Sequence, residues 1–405
     1  MKLSNYHHRT TCRICDSKDL TKFLDLGDMP LANAFVSNPN ETELLFPLSV
    51  YFCNQCSLVQ VLDVVDPKLL FSNYYYLTST SPQLIEHFKE HSKNVLKYVE
   101  SKHDLVVDIG GNDGTLLTEL KDHCRVLNVE PAKNIAEISL KKGIETVNDF
   151  FLQAVYGIIT KYGHAKVVTA NNVIAHTDSV KELFFGVKEL LADDGVFIFE
   201  THWVGNLIGK GGFDQIYHEH LCYYSLHALT RLCDLVGLSI FDVELVPLNG
   251  QSLQVYVSRN RKAGPSVKML LEREKNMHLD TFSAFAEFSN KVTQTKSETL
   301  NLLLALEAQG KNVVGYGASA KGSTLLNFYG ITDLEYVTDT SPLKQGLFIP
   351  GVHIPIVPPE RLYAEKPDYV LLLAWNYAIS ILEKEKELRA QGVKFIIPVP
   401  SVKIV

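Results

Sequence analysis

The sequence lacks the features that mark several large classes of protein. Among its 405 residues no apolar run approaches the roughly 18 that a membrane-spanning helix needs, the longest candidate being residues 369–375. Basic runs are missing and the formal net charge is −7, so bulk nucleic-acid binding is not expected, although a local basic patch stays open. The opening residues Met-Lys-Leu-Ser-Asn-Tyr-His-His hold no apolar segment of signal-peptide type, which sets the expectation of a cytosolic protein. Internal repeats and low-complexity segments are absent too. What remains is an ordinary globular composition, 46% hydrophobic, with apolar material for two or three domains of roughly 150 residues each.

Cysteine is scarce but clustered. Of seven cysteines, four form two Cys-x-x-Cys pairs, Cys12 with Cys15 and Cys53 with Cys56. In a reducing compartment that clustering points to a metal rather than to disulfides. Four thiolates suit tetrahedral zinc, a two-residue gap lets one tight turn aim both sulfurs at the ion, and a fully ligated ion leaves no place for substrate. The zinc is therefore expected to be structural, contributing on the order of 10–16 kcal/mol to a module too small to hold itself together. The interval 16–52 exceeds the roughly 15–20 residues of a common zinc ribbon, so extra structure is inserted. An iron–sulfur site, a redox dithiol and unliganded cysteines are the competing readings. Residues 1–62, with short apolar runs broken by turns at Gly27, Pro30 and Pro47, read as a strand-poor module.

Beyond a connector rich in tyrosine (Tyr74, Tyr75, Tyr76), residues 83–100 have helical apolar spacing. Apolar runs at 105–109, 126–129, 166–170 and 195–200 then alternate with helical segments, which predicts βαβ units and a parallel sheet. Two close runs within 237–259 predict an antiparallel edge. A long, charged helical pattern covers 264–309, and a second strand–helix alternation runs through 313–317, 335–339, 369–374 and 395–398.

Three motifs carry chemistry. In Val106-Val107-Asp108-Ile109-Gly110-Gly111-Asn112-Asp113-Gly114, an apolar strand ends in an acid and a glycine turn that opens a helix, at the sheet edge where open α/β folds bind ligands. It is neither Gly-x-Gly-x-x-Gly nor a P-loop; it resembles the first motif of class I S-adenosylmethionine methyltransferases. That resemblance implies Glu130, at the end of the second strand, as the acid on the ribose hydroxyls, Asp149 and Phe150 near the adenine, and Asn171 near the methionine moiety. The second motif, Tyr217-His218-Glu219-His220, follows a glycine-rich stretch and invites an acid/base reading, since histidine has an unperturbed pKa of about 6.5. Zinc binding through His218 and His220 is a rival without His-Glu-x-x-His spacing, and satisfied surface polars are the bland alternative. His176 follows another strand and faces the same cleft. The third motif, Gly315-Tyr316-Gly317-Ala318-Ser319-Ala320-Lys321, with Asp339 ending the next strand, is half of a dinucleotide fingerprint; a nicotinamide enzyme is its sharpest rival reading, although helix N-termini bind any phosphate.

Together these features resemble the nucleotide-sugar C-methyltransferases, the 3-C-methyltransferases of branched deoxysugar biosynthesis, over nearly the whole chain. The resemblance implies an α/β protein of three parts: a zinc-binding module (1–65), a class I methyltransferase Rossmann-like domain (66–262) and a second C-terminal Rossmann-like α/β domain contributing nucleotide-sugar binding (263–405). It implies S-adenosyl-L-methionine and Zn2+ as cofactors, and a nucleotide-diphosphate 4-keto-6-deoxysugar as substrate. It maps a catalytic histidine onto His220, with Tyr217 and Glu219 beside it and His176 and Tyr76 as further active-site residues. On this reading His220 removes the C3 proton, Glu219 orients its imidazole, and Tyr217 and His176 donate toward the C4 oxygen. Tyr316, Ser319 and Lys321 are candidate substrate contacts, the latter two on phosphate. The chain departs from relatives at Asn249-Gly250-Gln251, where His-Gly-Gly is common. An O- or N-methyltransferase, and a zinc-dependent nucleic-acid-binding or adaptor protein, are the alternative functions.

Overall fold

A computed structural model describes residues 5–71, 77–247 and 251–405, so Tyr76, Asn249 and Gly250 lie outside the described residues. The central sheet has seven strands in the order Ser239–Val246, Ser252–Ser258, Leu191–His202, Ala165–Asn171, Leu105–Ile109, Arg125–Val129 and Thr146–Val147. The five from Leu191–His202 onward are mutually parallel, and Ser252–Ser258 runs antiparallel to both of its neighbours. Strands buried on both faces need apolar residues at consecutive positions. Val107, Val168 and Phe197 feed one core, while Val106, Val167 and Ile198 feed a separate core on the opposite face. The protein is mixed α/β, with a four-cysteine head and a second α/β domain.

That second domain holds six strands, Ile356–Val357, Val337–Thr338, Val313–Tyr316, Tyr369–Leu372, Lys394–Ile397 and Lys403–Ile404, all parallel except the last. Between the sheets the helical pattern of 264–309 folds as two helices, Pro265–Asn276 and Phe282–Ala308. The break comes where His278 takes a left-handed φ of 55°, which turns Leu279 into the core with no exposed surface. Among the described residues no helix is long and apolar enough to cross a membrane.

The cysteine-bearing head is richer in strands than its turn residues suggest. Leu20–Pro30 pairs antiparallel with Leu45–Cys53, and Val59–Val61 continues the sheet. The breakers are absorbed rather than expelled: the pairing shifts register between Asp25 and Asp28, where Gly27 sits at φ 80°. A bulge at a glycine keeps a ladder going where sequence punctuation argues for its end. The edge of this sheet is Cys222–Tyr223, lent by the domain of the seven-stranded sheet and paired with Val59–Val61.

The head is wedged against its neighbours. The Phe285 ring, fully buried on the long helix, lies 4.9 Å from Phe52 and 5.4 Å from Phe23. On another face Glu43 accepts hydrogen bonds from the Gly351 amide at 2.8 Å and the His353 ring at 2.6 Å. Truncating Phe285 to alanine removes the two shortest of the ring contacts that join head and helix, leaving Phe288 on Phe23 and Phe282 on Phe52. Phe285→Ala is expected to cost about 3–5 kcal/mol in urea unfolding, and a loss under about 1 kcal/mol would mean that the head is held elsewhere.

Candidate active site

The Sγ atoms of Cys12, Cys15, Cys53 and Cys56 lie within 4.8 Å of one another, with Cys12 to Cys56 and Cys15 to Cys53 each at 3.5 Å. These spacings are too long for disulfides. They suit a tetrahedron built on Zn–S bonds of about 2.3 Å, whose edges are roughly 3.8 Å. The cluster is buried apart from Cys15 and offers a closed set of donors.

At the carboxyl ends of the parallel strands opens a cavity of about 550 Å³. Asp108, Gly110, Asn112 and Glu130 line it, as do Phe150, Asn171 and His176. Glycine is required at the turn: a Cβ on Gly111 would stand 2.5 Å from Asn128 Oδ1 and 2.7 Å from Asp108 Oδ2. The Glu130 carboxylate is aimed by two amides, Ala132 N–H at 2.9 Å and Asn112 N–H at 3.1 Å. Burial raises the Glu130 pKa in spite of those donors, and pushes that of Asp108 to about 7 against the Thr169 hydroxyl that donates to it at 2.7 Å. Asn171 lines the cavity from the end of its strand, its side chain close to the buried ring of His91.

Two of the expected cofactor residues point elsewhere. Asp113 is spent on Lys142 Nζ at 3.0 Å, the Thr115 hydroxyl at 2.6 Å and the Ser79 amide at 3.3 Å. Asp149 is exposed and accepts from the Phe150 amide next to it at 2.7 Å, leaving Phe150 as the member of that pair on the cavity wall.

Beside the cavity three imidazoles crowd together. The His220 ring centroid lies 4.9 Å from that of His176, 5.0 Å from that of His202 and 4.1 Å from the Tyr217 ring. His220 Nδ1 is 2.8 Å from the Gln215 carbonyl oxygen, which fixes the proton on Nδ1 and leaves the Nε2 lone pair. Burial and the two neighbouring histidines hold His220 well below 6.5. His176 Nδ1 donates to the Glu219 carbonyl at 2.7 Å, and burial lowers its pKa to about 4. The ring is therefore neutral with an unprotonated Nε2, so the expected donation from His176 toward a substrate oxygen does not fit its tautomer. Nor does the Glu219 carboxylate orient His220: it accepts from Asn33 Nδ2 of the cysteine-bearing head at 2.7 Å. His218 turns away to the carbonyls of Phe46 and Pro47, at 3.2 and 3.3 Å, so it does not share an ion with His220.

The C-terminal domain reaches the same cluster. Lys321, in the first turn of helix Ala320–Tyr329, is desolvated, lowers the pKa values of His202 and His220, and faces Asp214. Asp214 is fully buried and accepts from Trp375 Nε1 at 2.6 Å; burial raises its pKa to about 6. Ser319 caps the helix, accepting from the Gly322 amide at 3.2 Å, and Tyr316 donates to Glu385 at 2.8 Å, so both are engaged within their own domain.

Comparison with known proteins agrees along the whole chain. Family models match at residues 12–71 ("Putative zinc binding domain"), 84–243 ("Methyltransferase domain") and 247–400 ("C-methyltransferase C-terminal domain"). C-methyltransferase NovU of Streptomyces niveus is 34% identical over 404 residues, 97% of this chain and 96% of its own. The chain belongs to the C-methyltransferase family.

Solved structures with partial overlap include magnesium protoporphyrin IX methyltransferase of Synechocystis PCC 6803 with bound SAH, at 13% identity and TM-score 0.35 over 44% of this chain and 83% of that one. The CcbJ methyltransferase of Streptomyces caelestis overlaps at 14% identity and TM-score 0.34 over 44% and 90%. This C-methyltransferase uses S-adenosylmethionine, and Asp108, Glu130 and Asn171 are the residues suited to hold it.

Sequence reasoning missed His202, Gln215 and Asp214. His202 carried a signal, because it lies two residues past the strand ending at 200 and so at the ligand edge. Gln215 acts through its backbone, which no side-chain pattern reveals. In this C-methyltransferase Gly111→Ala is expected to weaken S-adenosylhomocysteine binding by ~10-fold or more, about 1.4 kcal/mol, by calorimetry with zinc content unchanged. Wild-type affinity in that variant would show that the turn does not touch the cofactor.

Proposed function

We propose that the enzyme methylates carbon three of a nucleotide-linked 4-keto-6-deoxyhexose through a base-generated enolate, in cytosolic branched-deoxysugar biosynthesis. The observation that supports this reading is the tautomer of His220: a buried imidazole with its proton committed to a backbone carbonyl and a lone pair at Nε2. A C–H beside a ketone is weakly acidic, and its removal needs a placed base together with cations or donors at the oxygen that gains charge. His220 Nε2 takes the C3 proton. The Tyr217 hydroxyl and the Lys321 ammonium stabilise the C4 oxygen as it becomes anionic, and His176 Nε2 accepts from a sugar hydroxyl. Bound S-adenosylmethionine supplies an electrophilic methyl carbon to the electron pair released at C3. The C-terminal domain, 263–405, carries the nucleotide end of the substrate, with Ser319 and the start of its helix facing the phosphates.

The resemblance in the glycine turn, the Tyr-His-Glu-His cluster and the third motif supports a sugar substrate over an amine or a hydroxyl acceptor. Incubation with 4-keto sugar nucleotides is expected to add one CH2 by mass spectrometry and a quaternary carbon by NMR; an O-methyl signal would defeat the proposal. His220→Asn is expected to lose ~10²–10⁴-fold in kcat and to stop solvent deuterium exchange at C3. If that variant exchanges at the wild-type rate, the base lies elsewhere. The pH profile gives an independent check. Because burial and nearby histidines hold His220 below 6.5, its neutral form persists into mild acid. The acidic limb of kcat/KM is therefore expected below pH 6.5, and a limb at or above 6.5 would contradict the assignment.

A further inference from the structure

Arg13 stands inside the first Cys-x-x-Cys turn, between two thiolate ligands, yet its side chain is turned away from the sulfurs and is buried, with the residue only 2% exposed. Its guanidinium makes a fork. Nη1 donates to the Val61 carbonyl at 2.5 Å and to Gln60 Oε1 at 3.1 Å, within the sheet of the zinc module. Nε donates to Asp178 Oδ1 at 2.9 Å, across the boundary into the methyltransferase domain. Asp178 is also met by Arg9 Nη1, 3.2 Å from each carboxylate oxygen, and by His7 Nε2 at 3.5 Å. Three side chains of the zinc module therefore converge on one carboxylate.

That carboxylate is part of the site. Asp178 lines the 550 Å³ cavity together with Thr177, Ser179 and His176, the loop that leaves the strand ending at Asn171. The loop is also anchored by the Thr177 hydroxyl on the Val173 carbonyl at 3.2 Å, by His176 on Glu219, and by the Leu221 amide on the Ala175 carbonyl at 2.8 Å. A buried guanidinium that loses its counter-charge is strongly unfavourable, so the docking that keeps Asp178 on Arg13 is favoured over one that parts them. The Arg13 backbone lies between Cys12 and Cys15, two residues that would hold the metal, and its amide donates to Gln60 Oε1 at 3.2 Å.

We infer that Arg13 is a positioning residue through which the zinc knuckle sets the Thr177–Asp178 wall of the cofactor cavity, so that metal occupancy and cofactor binding stabilise each other. The coupling goes beyond the choice of substrate and involves no sugar. It is reciprocal by thermodynamic necessity: if zinc favours the cavity shape that binds cofactor, cofactor must favour retention of zinc by the same factor.

The experiment measures transfer of zinc from the full-length protein to a chromogenic chelator, with and without saturating S-adenosylhomocysteine. In the wild type the ligand is expected to weaken zinc loss by ~10-fold, within the range usual for coupled sites. Asp178→Asn, which keeps shape but removes charge, is expected to reduce that protection to less than twofold. Arg13→Lys, which cannot span Gln60, Val61 and Asp178 at once, is expected to do the same and serves if the first variant does not fold. Protection of wild-type size in either variant, or none in the wild type, overturns the inference. Because no sugar is present, that result would leave the proposed reaction untouched, and loss of sugar methylation would leave this coupling untouched.

Discussion

A histidine is a base only at the nitrogen that carries no proton, and at His220 a peptide carbonyl decides which nitrogen that is. The Gln215 oxygen takes the Nδ1 proton at 2.8 Å, and the ring is then packed between two further imidazoles and a phenol ring. Backbone acceptors are better suited to this task than carboxylates in such a place. A buried carboxylate would raise the basicity of the ring but also hold it protonated before substrate arrives, whereas a neutral dipole fixes the tautomer without adding charge. The carboxylates nearby are engaged away from the ring, Asp214 with Trp375 and Glu219 with Asn33.

The same economy explains why the centre is assembled from all three parts of the chain. Asn33 from the zinc module holds Glu219, the Phe46 and Pro47 carbonyls hold His218, and Lys321 comes from the C-terminal domain. Within 213–220 the zinc module therefore holds His218 and Glu219, while the cation of the C-terminal domain faces Asp214 and His220. The His218 and Glu219 side chains can be buried here because the zinc module supplies the acceptors and the donor that the segment itself does not.

Much of this was legible before any coordinates. The period and spacing of apolar runs located the inner strands of both α/β sheets, since strands buried on two faces must be continuously apolar. The cysteine spacing gave the four-thiolate cluster, and the glycine turn with Glu130 gave one wall of the cavity, because those residue types answer to local geometry. What escaped was set by tertiary context. Gly27 and Pro47 look like strand breakers but sit in a bulged ladder, and the helical pattern near 278 is interrupted because Leu279 is more stable in the core than on a helix face. Asp113 and Asp149 belong to the cofactor pattern by position, yet Lys142 and a local amide claim their carboxylates. The role expected of Glu219 failed for the same reason: adjacency in sequence to His220 says nothing about which way a side chain on a loop will turn.

The strand Cys222–Tyr223 completes a sheet whose other members lie within residues 20–61. Its pairing closes a loop of well over a hundred residues, among the most entropically expensive contacts in the chain, and one unavailable to a nascent polypeptide until translation has passed that point. The metal-binding head must then wait, with an open edge, for the methyltransferase core to be made. A ribosome pausing between the two would expose a sticky template strand, which ties the safe biogenesis of the amino-terminal module to chaperone cover during that interval.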